Sequence, residues 1–187
     1  MENIREYNKE VIDPFRQEVR KEWTKEGKEW TQICGLDDID YHIITEYIKK
    51  NRPKLIVEYG SGESTYYINN LLDELDYGGR IVSFEDNEFY YNRIKEYGLD
   101  PKGSVNLVPL ETGFEDNCTG ARYLHSYEGL EEVDYVIIDG PDIGKLNVST
   151  TYNLLDMWRK FDRFIPYFID GRHGTKQFYN HHETYFL

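Results

Sequence analysis

After residue 53 the chain alternates between short apolar runs and longer segments with helical spacing. The apolar runs predict five strands, at Leu55–Val57, Arg80–Glu85, Val105–Leu110, Val133–Asp139 and Phe164–Ile169. The segments between and after them predict four helices, at Ser64–Leu75, Asn87–Tyr97, Thr150–Phe161 and near Thr175–His181. Strands separated by helices indicate an α/β fold, with a mostly parallel sheet and helices on both of its faces.

The first 52 residues precede this alternation and predict an N-terminal helical extension. One helix is expected from Pro14 to about Trp30, and a second from the capping residue Asp37 or Asp38 to Lys50. We expect residues 1–52 to pack on a cofactor-binding core formed by residues 53–187, within one structural domain.

Charge and composition narrow the function classes. The formal net charge is −13, and a field of that sign repels phosphate backbones and anionic lipid, so broad nucleic-acid binding and membrane binding are not expected. No apolar run reaches the roughly 18 residues of a membrane span, and the polar N-terminus has no signal-peptide pattern. Cys34 and Cys118 are isolated thiols, which is typical of a reducing compartment. We therefore expect a cytoplasmic protein.

The turn after the first strand has the pattern of a ligand site. Residues 58–65, EYGSGEST, join a strand to a helix, and Gly60 and Gly62 let the backbone turn tightly and approach a ligand. The free N–H groups at the start of that helix offer donors to a polar or anionic group. In parallel sheets, ligands bind outside the carboxyl ends of the strands. The polar residues at those ends are all acidic: Glu58, Glu85, Glu111, Asp139 and Asp170.

These acidic residues favour a nucleoside cofactor that is not a dinucleotide. The dinucleotide motif has a third glycine where this chain has Thr65, and Glu58 would meet a pyrophosphate, so both residues disfavour NAD. An ammonium group would instead pair with Glu58, and S-adenosylmethionine carries one as well as a ribose with two free hydroxyls. Glu85 follows Glu58 by 27 positions, near the spacing at which a carboxylate accepts both ribose hydroxyls.

Three segments resemble motifs of the class I S-adenosylmethionine-dependent methyltransferases, which have a Rossmann-like fold. They are residues 56–65, residues 82–87 and residues 133–141, and the last has the Asp-Gly-Pro form of O-methyltransferase-like members that act on small molecules and sugars. The resemblance spans roughly residues 53–171. It implies that the first turn holds the methionine part, that Glu85 holds the ribose, and that Asp139 lies where cofactor and acceptor meet. The expected cofactor-binding residues are Glu58, Gly60, Ser61, Gly62, Ser64, Thr65, Glu85, Asp86 and Asp139.

The chain departs from that family after the fifth strand. The family's sheet has seven strands, whereas the residues after Ile169 have room for one helix and at most a short strand at Thr184–Leu187. We expect the C-terminal edge of the sheet to be truncated, or to be completed by another copy in a homo-oligomer. Residues 113–129 form a long polar insertion, expected either to close over the acceptor or to pack Tyr123 and Tyr127 against the sheet.

The candidate catalytic residues are Asp139, Asp170 and His173. Methyl transfer requires an aligned acceptor and, for a hydroxyl, removal of its proton. Asp139 is the first candidate for that role, with capping of the following loop as the structural alternative; His173 could act as base or bind an anionic acceptor. Asp139 and Asp170 could together hold a divalent ion, as in metal-dependent members of the fold. Those members have a third oxygen ligand directly after the second Asp, and here that position is Gly171, so metal use is the less favoured alternative.

The sequence therefore favours an S-adenosylmethionine-dependent methyltransferase that acts on a hydroxyl of a small molecule or sugar. The alternative is a non-catalytic module of the same fold that binds a nucleoside or a protein, for which the short C-terminus is the main evidence. The acceptor does not follow from the sequence, because acceptor pockets are built from loops and the fold does not fix them.

Overall fold

The computed structural model describes residues 36–186, together with residues 13, 14 and 17. Apart from residues 14 and 17, which are helical, the helix expected from Pro14 to Trp30 lies outside the described residues. The helices are α1 (Asp38–Asn51), α2 (Glu63–Leu75), α3 (Glu88–Glu96), α4 (Ile143–Leu146), α5 (Asn153–Phe161) and α6 (His173–Glu183). The strands are β1 (Leu55–Tyr59), β2 (Arg80–Glu85), β3 (Val105–Leu107), β4 (Leu110–Glu115), β5 (Cys118–Tyr123), β6 (Tyr135–Ile138), β7 (Thr150–Thr151) and β8 (Tyr167–Ile169).

A five-stranded parallel sheet with the order β3-β2-β1-β6-β8 forms the centre of the molecule. β1 lies in the middle, and all five of its residues are buried, as expected for a strand that is covered on both faces. This arrangement confirms the predicted Rossmann-like α/β fold. In the described part of the chain, β8 is the last strand of this sheet, and residues 184–186 form a turn where the sequence left room for at most a short strand.

Helices cover both faces of the sheet. On one face, α1 and α2 pack Ile44, Ile48 and Ile68 against the strands. On the other, α5 and α6 contribute Trp158 and Tyr179, which are fully buried. Among the described residues, none of the helices combines the length and the apolarity that crossing a bilayer would need.

Side-chain caps fix the starts of α1 and α3. The Asp37 carboxylate accepts the backbone N–H groups of Ile39 (2.8 Å) and Asp40 (2.9 Å), so Asp37 is the N-cap of α1. Asn87 caps α3 in the same way, through the N–H of Phe89 at 2.9 Å. The sequence predicted the first cap at Asp37 or Asp38, whereas it placed Asn87 inside its helix. Both side chains are short acceptors that satisfy the unpaired N–H groups of a first helical turn.

Much of the polar insertion, residues 113–129, belongs to a second sheet rather than to a loop, and of its two expected roles the packing of Tyr123 and Tyr127 against the large sheet is the one observed. β4 and β5 are an antiparallel hairpin, and β7 pairs with β5. Asp116 and Asn117, with φ of 49° and 61°, form the two-residue turn, since both residue types tolerate the left-handed region. Arg122 in β5 donates to Asp156 of α5 at 2.7 Å, which holds the hairpin on the core.

The predicted end of one strand and the predicted start of one helix also differ from the structure, and both lie next to this second sheet. The third strand was expected to reach Leu110, but β3 ends at Leu107 because Pro109 has no N–H with which to continue a ladder. The helix expected from Thr150 begins at Asn153 instead. The β-branched pair Thr150 and Thr151 forms β7, opposite Gly120 and Ala121.

Candidate functional site

The carboxyl ends of four neighbouring strands meet at one edge of the large sheet. Because β2, β1, β6 and β8 are parallel neighbours, Glu85, the turn after Tyr59, Asp139 and Asp170 all lie at that edge. We call this the ligand edge. Glu111, which was expected to follow the third strand, instead lies exposed in β4 of the second sheet.

Gly60 brings the backbone of the turn against the backbone that follows β6. Its φ is +86°, and a Cβ atom there would lie 2.3 Å from the nitrogen of Gly140. The carbonyl of Tyr59 accepts the N–H groups of Asp139 (2.8 Å) and Gly140 (2.6 Å), which joins the same two segments. The space beside Gly60 is therefore filled by the chain itself, and glycine is required there for packing rather than for ligand access.

Gly62 has different surroundings. It is the N-cap residue of α2, and a Cβ atom on it would meet no atom within 4 Å. Its N–H donates to the Thr65 hydroxyl at 3.1 Å, so Thr65 caps the helix at the position where a dinucleotide motif has glycine. Of the two glycines in the turn, Gly62 is the one that borders open space.

Glu58 is fully buried and bonded to three hydroxyl groups. Its carboxylate accepts from Ser64 (2.6 Å), Thr65 (2.5 Å) and Ser83 (2.6 Å). Burial raises the pKa of Glu58, and the three hydroxyls lower it in part. The carboxylate holds the first turn of α2 to β2, and as placed it has no accessible surface with which to contact an ammonium group at the ligand edge.

Glu85 lies between the glycine turn and the start of α3. One carboxylate oxygen accepts the backbone N–H and the hydroxyl of Ser61, both at 3.0 Å. The other accepts the N–H groups of Asp86 (3.1 Å) and Asn87 (2.9 Å). Glu85 is 4% exposed, and burial raises its pKa to about 7 in spite of these hydrogen bonds. The Glu85 carboxylate is thus a hydrogen-bond acceptor beside the open space at Gly62, as its spacing from Glu58 in the sequence predicted.

Asp139 and Asp170 come together at the ends of β6 and β8, as the sequence predicted, and Asp40 of α1 lies beside Asp170. Burial and the neighbouring Asp170 carboxyl raise the pKa of Asp139. Burial and then Asp40 raise the pKa of Asp170. The Arg172 guanidinium donates to the backbone oxygens of Asp139 and Pro141, so it fixes the loop after β6 and offsets part of the negative charge.

The remaining predicted site residues differ in their placement. Asp86 is partly buried at the end of β2, and burial raises its pKa. His173 is exposed at the first position of α6. Within residues 36–186 and the few described before them, no group of three His, Cys, Asp or Glu residues could hold a metal ion.

Two side chains of the β4–β5 hairpin and the loop that follows it also pack near this edge. Tyr123 is 2% exposed, and its hydroxyl lies against Gly140. His125 stacks on Phe84 with ring centroids 3.8 Å apart, and its Nε2 lies 2.9 Å from the Tyr59 hydroxyl. The sequence placed Tyr123 only within the insertion. Its approach to Gly140 depends on a hairpin that the polar pattern of residues 110–115 did not predict.

A cleft of about 590 Å³ opens at the opposite edge of the sheet. It is lined by residues that precede β1, β6 and β8, among them Lys54, Asp134 and Pro166, and by Tyr47 of α1. Ligands of parallel α/β sheets bind at the carboxyl ends of the strands, and this cleft is at the amino ends. The site argued from residues 58–62, 85 and 139 is therefore separate from it.

Comparison with known proteins does not assign a family to the chain. No protein-family model matches the sequence, and no curated protein is significantly similar to it. The candidate function therefore depends on the geometry of the ligand edge and on the motif resemblance.

Proposed function

We propose that the chain is an S-adenosylmethionine-dependent methyltransferase that modifies a hydroxyl of a small molecule or sugar, in the cytoplasm. The observation that carries the proposal is Glu85, a buried carboxylate held at the end of β2 against the turn in which Gly62 borders open space. A carboxylate can accept both hydroxyls of a ribose, and the N-terminus of α2 supplies backbone donors to a polar group beside it.

The residues present fit this cofactor in part. Ser61, Gly62 and Glu85 surround the place where a ribose and its substituents would lie, and the rotatable Ser61 hydroxyl can release one Glu85 oxygen to a ligand. Glu58 acts indirectly, because its three hydroxyl partners fix the start of α2. The ammonium group of the methionine part would need another acceptor, and Asp139 is the next carboxyl group along the ligand edge.

Asp139 and Asp170 are the groups that would handle the acceptor proton. Asp170 raises the pKa of Asp139, whereas the hydrogen bond between the two carboxyl groups lowers the pKa of Asp170, so one of them keeps a proton while the other stays ionised. The ionised member can accept a proton from a hydroxyl held beside it. S-adenosylmethionine, when bound, supplies an activated methyl group, so the chain itself needs only to align the acceptor and receive this proton.

The test compares ligand binding by the wild type and by two variants, each of which replaces one acidic residue with alanine. We expect S-adenosylhomocysteine at about 100 times its dissociation constant to raise the free energy of unfolding by about 2.7 kcal/mol. NAD and ATP at equal concentration should raise it less. Glu85→Ala should weaken binding at least tenfold, because a charged hydrogen bond contributes about 1.5–3 kcal/mol. Glu111→Ala, an exposed acidic residue of β4, is the matched control and should bind normally. Equal stabilisation by NAD would overturn the assignment.

A second candidate function is a binding module without catalysis. It is favoured by the large sheet, which ends at β8 in the described part of the chain, whereas the methyltransferases that the motifs resemble have seven strands. The two functions are distinguished by incubating the protein with labelled S-adenosylmethionine and a panel of hydroxylated acceptors. Transfer of the label supports the enzyme, whereas tight binding of S-adenosylhomocysteine with no transfer to any acceptor supports the module.

A further inference from the structure

Tyr123 is held rigidly at the ligand edge by the second sheet. Its backbone N–H donates to Asn153 Oδ1 and its carbonyl accepts from Asn153 Nδ2, both at 2.9 Å. Asn153 is fully buried at the start of α5, so these two bonds fix the end of β5 to the core. The direction in which the Tyr123 ring points is therefore set by the fold and not by a mobile loop.

The hydroxyl of Tyr123 ends at the junction of the two segments that form the site. A Cβ atom on Gly140 would lie 2.2 Å from the Tyr123 oxygen, and that same atom would lie 2.6 Å from Gly60 Cα. Among the described residues, this buried hydroxyl has no hydrogen bond of ordinary geometry, and the Asp86 carboxylate is close enough to interact with it. Native proteins rarely leave a buried polar atom without a partner, and such an atom at a candidate site indicates a ligand contact.

The charges around this hydroxyl restrict the kind of ligand group that fits. Burial, and after it the Asp86 and Glu85 carboxylates, raise the pKa of Tyr123 well above its usual value, so the phenol keeps its proton and is a donor. Asp86 lies close enough to affect that pKa and, when ionised, only accepts hydrogen bonds. A ligand group in contact with both must accept from one and donate to the other. A hydroxyl does both.

We propose that Tyr123 and Asp86 together bind a ribose hydroxyl of the nucleoside ligand, with Tyr123 donating and Asp86 accepting. We assign this hydroxyl to the ribose because Asp86 directly follows Glu85, which binds the ribose in the proposed function. This inference rests on that function and adds a ligand-binding residue from the β4–β5 hairpin, which lies outside the three motifs of the sequence.

The experiment compares two variants that each remove one buried phenol hydroxyl. Tyr123→Phe removes the hydroxyl at the ligand edge. Tyr179→Phe is the matched control, because the Tyr179 ring is fully buried and its hydroxyl donates to the Thr151 carbonyl at 2.6 Å. We expect the melting temperature of the free protein to be unchanged or higher in Tyr123→Phe and lower in Tyr179→Phe. The dissociation constant for S-adenosylhomocysteine should rise about 3- to 10-fold in Tyr123→Phe and stay unchanged in Tyr179→Phe.

The 2′-deoxy and 3′-deoxy analogues of S-adenosylhomocysteine identify the hydroxyl. With the analogue that lacks the bound hydroxyl, the wild type and Tyr123→Phe should bind equally, because the interaction has been removed from both sides. Equal affinity of the two proteins for S-adenosylhomocysteine itself would overturn this inference alone. The inference would also be overturned if Tyr123→Phe weakened the binding of both analogues as much as it weakens the binding of S-adenosylhomocysteine. If the wild type does not bind S-adenosylhomocysteine, the proposed function fails, and the ribose contact fails with it.

Discussion

The inner half of the glycine turn, Glu58 and Gly60, is enclosed by the chain, whereas Gly62 in the outer half borders open space beside Ser61 and Glu85. Gly60 touches the backbone of Gly140, and Glu58 is surrounded by hydroxyl groups of α2 and β2. Both halves have the residue types of a ligand-binding turn. Only the outer half is placed to contact a ligand.

This difference shows that one sequence motif can combine two physical requirements. A glycine permits close approach, but the approaching group can be another backbone segment as well as a ligand. An acidic residue after a strand can likewise bind the protein's own donors. The two requirements can be separated by variants that affect one half of the turn at a time.

The largest expected effect is that of Gly60→Ala on stability. The added Cβ atom would overlap the backbone of Gly140, and alanine would have to adopt a φ of +86°. We expect a loss of about 3 kcal/mol or more in the free energy of unfolding, from strain in the left-handed region together with overpacking. Urea denaturation followed by circular dichroism measures this loss.

Gly62→Ala is the matched variant in the outer half. Its Cβ atom has no neighbour within 4 Å, so stability should change by less than about 0.5 kcal/mol. The affinity for S-adenosylhomocysteine should nevertheless fall about tenfold, because the Cβ atom would occupy space next to the ligand. Two variants with equal stability would contradict the division of the turn into an inner and an outer half.

The sequence could predict the turn but not this division. The strand, the glycines and the acidic residues follow from local pattern, because apolar periodicity and glycine act within a few residues. The contact of Gly60 with Gly140 joins residues 80 positions apart, and it depends on how β6 pairs with β1. The burial of Glu58 likewise depends on Ser83 in the neighbouring strand. Such long-range contacts have no local signal.

A smaller loss of stability is expected from Glu58→Ala. The variant removes the acceptor shared by the Ser64, Thr65 and Ser83 hydroxyls and leaves space in the core. Unpaired buried donors destabilise by about 1–3 kcal/mol, so we expect a loss of about 2 kcal/mol, partly offset because a buried charge is also removed. Glu111→Ala, exposed on β4, should cost less than about 0.5 kcal/mol.

Affinity measurements complete the Glu58 comparison. If Glu58 acts only through the position of α2, Glu58→Gln should retain more of the affinity for S-adenosylhomocysteine than Glu85→Gln does. The amide keeps the size of the side chain and one acceptor oxygen for the three hydroxyls. A Glu58→Gln protein that is fully stable but cannot bind would instead place Glu58 in direct contact with the ligand.

The second sheet marks where prediction from the sequence ended. Residues 111–114 of β4 are all exposed, so the strand lacks the apolar alternation by which a strand is recognised. Its hairpin turn, Asp116 and Asn117, has suitable residue types, but without apolar flanks it resembles any polar loop. Tyr123 consequently could not be assigned to the ligand edge, although its aromatic ring is part of the core.

The smallest expected effect is a pH dependence that belongs to the outer half of the turn. The pKa of Glu85 is raised from 4.5 to about 7 by burial, so much of this carboxyl is protonated at pH 6. Only the carboxylate accepts two ribose hydroxyls. The affinity for S-adenosylhomocysteine should therefore rise with pH and level off above about pH 7, and below that pH it should fall by at most about tenfold per pH unit.

The stability of the free protein should change with pH in the opposite direction. Because the pKa of Glu85 is higher in the folded than in the unfolded chain, its contribution to stability is full below about pH 4.5 and is lost as the pH rises through about 7. Burial also raises the pKa of Glu58, so the contribution of Glu85 is the difference in the pH dependence of stability between the wild type and Glu85→Gln.

Calorimetric titrations measure the pH dependence of affinity, and urea denaturation measures that of stability, both from about pH 5.5 to 8.5. Glu85→Gln should flatten the affinity slope and reduce the stability slope. If the affinity of both proteins depends on pH in the same way, the titrating group is not Glu85 but the ligand or another side chain. Asp139 would then be the next carboxyl group to replace.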